Sequence, residues 1–137
     1  MSTDDHKELV RRFVREVFQE GRVGSVDELV APDFVSASFG ITEEGPAKLR
    51  AATEQIHRVL TDVSFRVDDL IAEGDRVAAR LTARATPTGQ FLGMEPTGKS
   101  YEIGEIHMFR IANGRIAEHW HQFDAMGATK QLAGDAG

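Results

Sequence analysis

The chain opens on an apolar stripe with helical spacing. Leu9, Val10, Phe13, Val14, Val17 and Phe18 recur every third or fourth residue, the period that lines one face of a helix. Ser2 or Thr3 stands where a cap is needed. Asp4, Asp5 and Glu8 crowd the first turn, where negative charge meets the positive end of the helix dipole. Gly21 and Gly24 end this helix, and Ser25 caps a short second one, Val26 to Val30, closed by Pro32. Phe34 to Ser38 reads as a short strand. Pro46 suits the first turn of a third helix running to about Leu60, with Ala47, Leu49, Ala51, Ile56, Val59 and Leu60 as its buried residues.

The period then changes to two. Val63, Phe65 and Val67 alternate with polar residues until the pattern slips at Leu70-Ile71, which predicts a bulge. After a turn at Gly74-Asp75, Val77, Ala79, Leu81, Ala83 and Ala85 alternate with Arg76, Arg80, Thr82, Arg84 and Thr86 as a long strand. A loop with Pro87, Gly89, Gly93, Pro96 and Gly98 follows. Two more strands, about Lys99 to Ile111 and Arg115 to Ala125, meet at the hairpin signal Asn113-Gly114. Helices followed by a run of antiparallel strands predict an α+β fold. The alanines of the long strand let a helix approach closely. A curved mixed or antiparallel sheet wrapped around N-terminal helices makes a cone whose open mouth can hold a ligand.

Composition narrows the function classes. At 137 residues the chain fits a single domain, residues 1–137. It has no cysteine, which removes disulfides, thiolate zinc sites and cysteine nucleophiles. A net charge of -6 lacks the positive stripe that nucleic acid attracts. No apolar run approaches the roughly 20 residues of a membrane span. The polar N-terminus does not read as a signal peptide, so the expected location is the cytoplasm.

Three stretches together carry a family resemblance across nearly the whole chain. They are Asp69 to Arg80 around Gly74-Asp75, the loop Gly89-Gln90-Phe91-Leu92-Gly93-Met94-Glu95-Pro96-Thr97-Gly98, and the closing hairpin Ile106 to Trp120. With Leu9 to Phe13 and Asp27 to Phe34, they resemble the SnoaL-like polyketide cyclases. The resemblance implies a cone-shaped fold of the nuclear-transport-factor-two-like superfamily. It implies closure of a polyketide ring by intramolecular aldol condensation with no metal or organic cofactor, and a homodimer or homotetramer. Its key histidine matches His107. Its key aspartate falls on position 121, where this chain has His121. Relatives without that aspartate are linked to hydroxylation of anthracycline intermediates. Pro87 stands where many members carry a histidine, while Asp124 keeps the wider pattern.

Aldol closure needs a base to take a proton from a carbon flanked by carbonyls, and a donor to steady the enolate. His107, His121 and Asp124 are the expected catalytic residues, with His121 as base in place of the aspartate and His107 as donor. His119, Trp120, Phe13, Phe39, Phe91 and Met94 are the expected binding surface for a small hydrophobic or polycyclic aromatic molecule. A carrier of the same fold without turnover is the alternative. His107, His119 and His121 could also make a three-histidine zinc site, although the resemblance implies no metal. Strand register decides which of these share a pocket. A two-residue turn at Asn113-Gly114 sets His107 opposite Trp120. A three-residue turn, Ala112-Asn113-Gly114, sets His107 opposite His119 and brings His119, His121 and Phe123 to its face. The resemblance favours the three-residue turn, because its histidine and the residue at position 121 work in one cavity.

Overall fold

The computed structural model describes residues 1–134. Helix α1, Thr3–Phe13, starts on a capping box in which the Ser2 hydroxyl accepts from the Asp5 N–H and the Asp5 carboxylate accepts from the Ser2 N–H. The helix widens into a π-helical turn, Val14–Gln19, which brings Phe18 against Phe13. Its stripe buries Val10, Phe13, Val14 and Val17.

The short helix α2 spans Val26–Leu29, and strand β1 follows at once, Val30–Ser36. This corrects the expectation that Pro32 closes a helix and that the strand begins at Phe34. Pro32 lies inside β1, which is tolerated because β1 is an edge strand with an irregular register between Val30 and Val35. Helix α3, Gly45–Val59, lies close to β1. A Cβ on Gly45 would lie 1.9 Å from the Phe34 carbonyl oxygen, so only glycine permits that approach. Leu49 and Thr53 of α3 are buried, whereas Ala47 and Ala51 are exposed, contrary to expectation. Alanine fits either face of a helix and gives a weak signal.

Strands β2 (Leu60–Glu73), β3 (Arg76–Pro87), β4 (Tyr101–Ala112) and β5 (Arg115–Phe123) form antiparallel neighbours, and β1 adds parallel to β5, in the order β1-β5-β4-β3-β2. The mixed sheet is open and curved. Register shifts in β2, between Thr61 and Ser64 and between Val67 and Asp69, bend it, the second two residues earlier than the sequence pattern suggests. Helix α4, Ala125–Ala133, follows β5 and ends the strand two residues before expected.

The concave face meets two packed clusters. Val10, Phe13, Val14 and Val17 lie against Val77, Ala79, Leu81, Phe109 and Ile116. At the other end, Ala128 and Leu132 of α4 lie against Ala83, Ala85, Tyr101 and Ile103. The fold is the expected α+β cone, and residues of both clusters line the space left inside it. Among the described residues no helix is long and apolar enough to cross a membrane.

Candidate functional site

The hairpin sets the site. Asn113 and Gly114 both have positive φ, 52° and 75°, and Ala112 pairs with Arg115, so the turn has two residues. The expected three-residue turn is therefore incorrect. Ile111 pairs with Ile116 and Arg110 with Glu118, which leaves Ala117 as an extra residue in β5. This bulge shifts the register by one and sets His107 opposite His121. Side-chain parity beyond the bulge is thus the one expected, with His119, His121 and Phe123 on the face of His107, although each pairing differs by two residues.

A cavity of about 280 Å³ opens on that face. Phe18, Phe39, Leu49, Phe65, Phe91 and Ile103 supply apolar wall, and Ile56 and Phe123, each more than a third exposed, stand where it meets solvent. The polar groups among its lining residues include Ser38, Thr53, His57, Tyr101, Glu105, His107 and His121. Burial pushes the Tyr101 phenol up to about 12, so it stays protonated. Phe91 stacks on Tyr101, with ring centres 5.5 Å apart.

The polar end is a chain of hydrogen bonds. The His107 Nε2 lies 2.7 Å from the Glu105 Oε1, and its Nδ1 lies 2.8 Å from the His119 Nε2. The His119 Nδ1 lies 2.9 Å from the Ser36 Oγ. His119 is wholly buried, and burial, aided by His107 and His121, holds its pKa well below the usual imidazole range. Burial followed by the neighbouring His107 also lowers His121, against an upward pull from Glu105. The His121 ring stacks on His107 with centres 4.9 Å apart and packs against Phe39, and its Nδ1 is buried without a partner. Ser38 braces the backbone here, accepting from the His121 N–H at 2.8 Å and donating to its carbonyl.

The expected residues divide. His107, His121, Phe39 and Phe91 reach the cavity. Five others do not line it. Asp124 is exposed, and its carboxylate accepts from the Gly127 N–H at 2.8 Å as the cap of α4, away from the cavity lining. Trp120 faces the outer side of the sheet under the Arg76 guanidinium, because strand neighbours alternate faces. Phe13 is core, edge-on to Phe109. Met94 packs with the second cluster near Phe91. His119 sits behind His107 rather than on the cavity wall. Glu105 and Ser36 escaped the sequence reading. Glu105 was open to inference, since a carboxylate two residues before His107 on one strand shares its face. Ser36 comes from a remote strand and carried no such signal.

One donor nitrogen from each of His107, His119 and His121 falls within 4.8 Å of the others. They do not make an open metal site. The His107 Nδ1 and the His119 Nε2 share a proton, and the other His107 nitrogen is taken by Glu105. Binding a metal through the two facing nitrogens would break the bond between them, while the His107 Nε2 bond to Glu105 could stay.

A family profile described as SnoaL-like polyketide cyclase matches residues 8–132. The nogalonic acid methyl ester cyclase of Streptomyces nogalater is 28% identical over 119 residues, 84% of this chain and 88% of that one. The structure of TsrD from Streptomyces laurentii matches with a TM-score of 0.86 and 29% identity, covering 96% of this chain and 97% of that one. AclR, a candidate hydroxylase from Streptomyces galilaeus, matches with a TM-score of 0.81 and 26% identity, covering 96% and 83%.

Proposed function

We propose a function from one premise: the chain belongs to the SnoaL-like polyketide cyclase family. It is an enzyme that closes a ring in a flat, polycyclic polyketide by acid–base chemistry, without a cofactor. The observation that carries this reading is an apolar cavity with Glu105, His107 and His121 together on one wall. Such a cavity grips a flat ligand by burial and orients it with sparse hydrogen bonds. In the reaction a proton leaves a carbon between two carbonyls. The enolate carbon bonds to a further carbonyl carbon, and the resulting alkoxide takes up a proton. Substrate and product are isomers, so proton transfer is all the site must supply. The enzyme works in the cytoplasm as a homodimer or homotetramer.

Nogalonic acid methyl ester, which the Streptomyces nogalater relative's name makes its substrate, is the first compound to test. Incubation should give a product of unchanged mass with one more ring, seen by liquid chromatography and mass spectrometry. A product heavier by one oxygen atom would place the chain with the hydroxylase-type relative. Tight binding of aromatic polyketides with no conversion of any would establish a carrier instead.

A further inference from the structure

We infer that Glu105 is the proton acceptor of this reaction, that His121 is the hydrogen-bond donor to the substrate oxygen, and that Ser36 and His119 position the pair through His107. The inference rests on the acid–base reading above and assigns its roles differently from the sequence, which places the base at His121.

The assignment starts at the buried end. The Ser36 N–H and carbonyl are both bonded to Ile41, at 2.9 and 2.8 Å, so only its hydroxyl is free to serve the His119 Nδ1. Four groups then stand in series, Ser36, His119, His107 and Glu105, and the series has two possible polarities. In one, the Ser36 O–H donates to the His119 Nδ1, the His119 Nε2–H donates to the His107 Nδ1, and the His107 Nε2–H donates to the Glu105 carboxylate. Every donor meets an acceptor, and both imidazoles are neutral. In the other, the His119 Nδ1–H donates to Ser36, whose own O–H proton is then left in a fully buried place with no acceptor among the described residues. A buried donor without a partner is the costlier arrangement. Burial keeps the His119 ring neutral in either polarity, so the hydroxyl of Ser36 decides between them.

The outcome at the cavity follows. The proton on the His107 Nε2 is committed to the Glu105 Oε1, which fixes the carboxylate. The Glu105 Oε2 has no hydrogen-bond partner among the described residues, and Glu105 is the one carboxylate among the lining residues of this cavity. The His121 Nδ1 is buried and unpaired. A bare lone pair is less costly there than an N–H, so the ring proton belongs on Nε2, free to meet a substrate oxygen. The Glu105 Oε2 takes the proton from the carbon between two carbonyls. The electron pair of that C–H bond becomes the enolate, whose oxygen accepts from the His121 Nε2–H. The enolate carbon bonds to the second carbonyl carbon, whose π pair moves onto oxygen. That oxygen recovers the proton from Glu105. No atom is gained or lost, and nothing is oxidised.

Two measurements test this on the full chain. Ring nitrogen-15 NMR of the ligand-free protein near neutral pH should show protons on the Nε2 of His107, His119 and His121, with each Nδ1 bare. Ser36→Ala should disturb the His119 and His107 signals. A proton on the His107 Nδ1 would overturn the positioning series. In turnover of nogalonic acid methyl ester, Glu105→Gln keeps an acceptor for His107 but loses the base. It should lower kcat by about 100-fold or more. Its KM should stay within about threefold, and Glu105→Asp should recover part of the loss. Ser36→Ala should lower kcat less, again at steady KM. Turnover of Glu105→Gln within about threefold of wild type would overturn Glu105 as base. Failure of the wild type on this ester counts against the cyclase reading, and the NMR result then judges the series by itself.

Discussion

His119 sits where a charge is unwelcome. Burial holds its pKa well below the usual value of 6.5, and His107 and His121 act in the same direction. His121 is lowered as well, chiefly by burial. The unfolded chain therefore binds protons near pH 6.5 that the folded chain refuses, and stability must fall as the pH drops through that value. Groups packed around the pair, Glu105 included, do not reverse the sign. We expect Tm to be lower at pH 5.5 than at pH 7.5, and His119→Gln to flatten the difference. An equal Tm at both values would mean that His119 accepts its proton inside the fold. At the same scale, His121→Phe keeps a flat ring against His107 and Phe39 but removes the N–H. It should cost about 100-fold in kcat with the melting curve little changed, since one donor to developing charge contributes on that order. Turnover near wild type would remove His121 from the chemistry.

At the scale of elements, a buried carboxylate ties the first helix to the segment after it. Glu16 lies in the π-helical turn, where its carboxylate accepts from the Arg12 Nε at 2.7 Å and from the Ser25 Oγ at 2.6 Å. These bonds, led by that from Arg12, hold it down to about 2, against an ordinary 4.5. A depressed carboxylate stabilises above its unfolded pKa, and its contribution disappears as pH falls from 4.5 towards 2. Glu16→Gln should lower stability by about 2 kcal/mol at pH 7, the scale of hydrogen bonds to a charged group. Denaturant titrations of variant and wild type should converge near pH 2. A gap as wide there as at pH 7 would show that packing, not charge, sets the role of Glu16.

The whole molecule presents a second apolar surface, on the outside of the sheet. Ile71, Ala78, Met108 and Trp120 form a row across four strands in register, with Ile106 beside it. Ile71 is 70% exposed and Ile106 53%. Apolar area of this kind is where copies of a chain associate. Met108→Lys with Ile106→Glu should turn a dimer into a monomer in analytical ultracentrifugation while leaving ligand binding in place. An unchanged sedimentation coefficient would move the interface elsewhere. The interior leads to a different expectation. Because both His119 nitrogens are already committed, one to His107 and one to Ser36, protein purified without chelator should carry no stoichiometric transition metal. About one zinc per chain, lost together with activity on chelation, would overturn this.

The order of helices and strands was legible in the sequence because apolar period is local. The stripe from Leu9 to Phe18 and the alternation from Val77 to Ala85 each state their element without help from the rest of the chain. The resemblance in the closing hairpin likewise marked His107 and position 121. Helix α4 was missed although Asp124, Ala128 and Leu132 mark a cap and a buried face, because the strand pattern was carried through to Ala125. The turn at Asn113-Gly114 could be placed but not counted. Asn-Gly suits both turn lengths, and the register at His107 depends on a bulge at Ala117 that no local signal announces. Parity came out as expected because the two differences, in turn length and in the bulge, compensate. The identity of the base was beyond sequence. The spacing of Glu105 from His107 could place it on the same face, but not its role, which depends on Ser36, 83 residues from His119, closing the series of hydrogen bonds behind it. Short-range patterns fix elements because each residue reports its own burial. A proton's position depends on every partner in a buried series, and only folding brings those partners together.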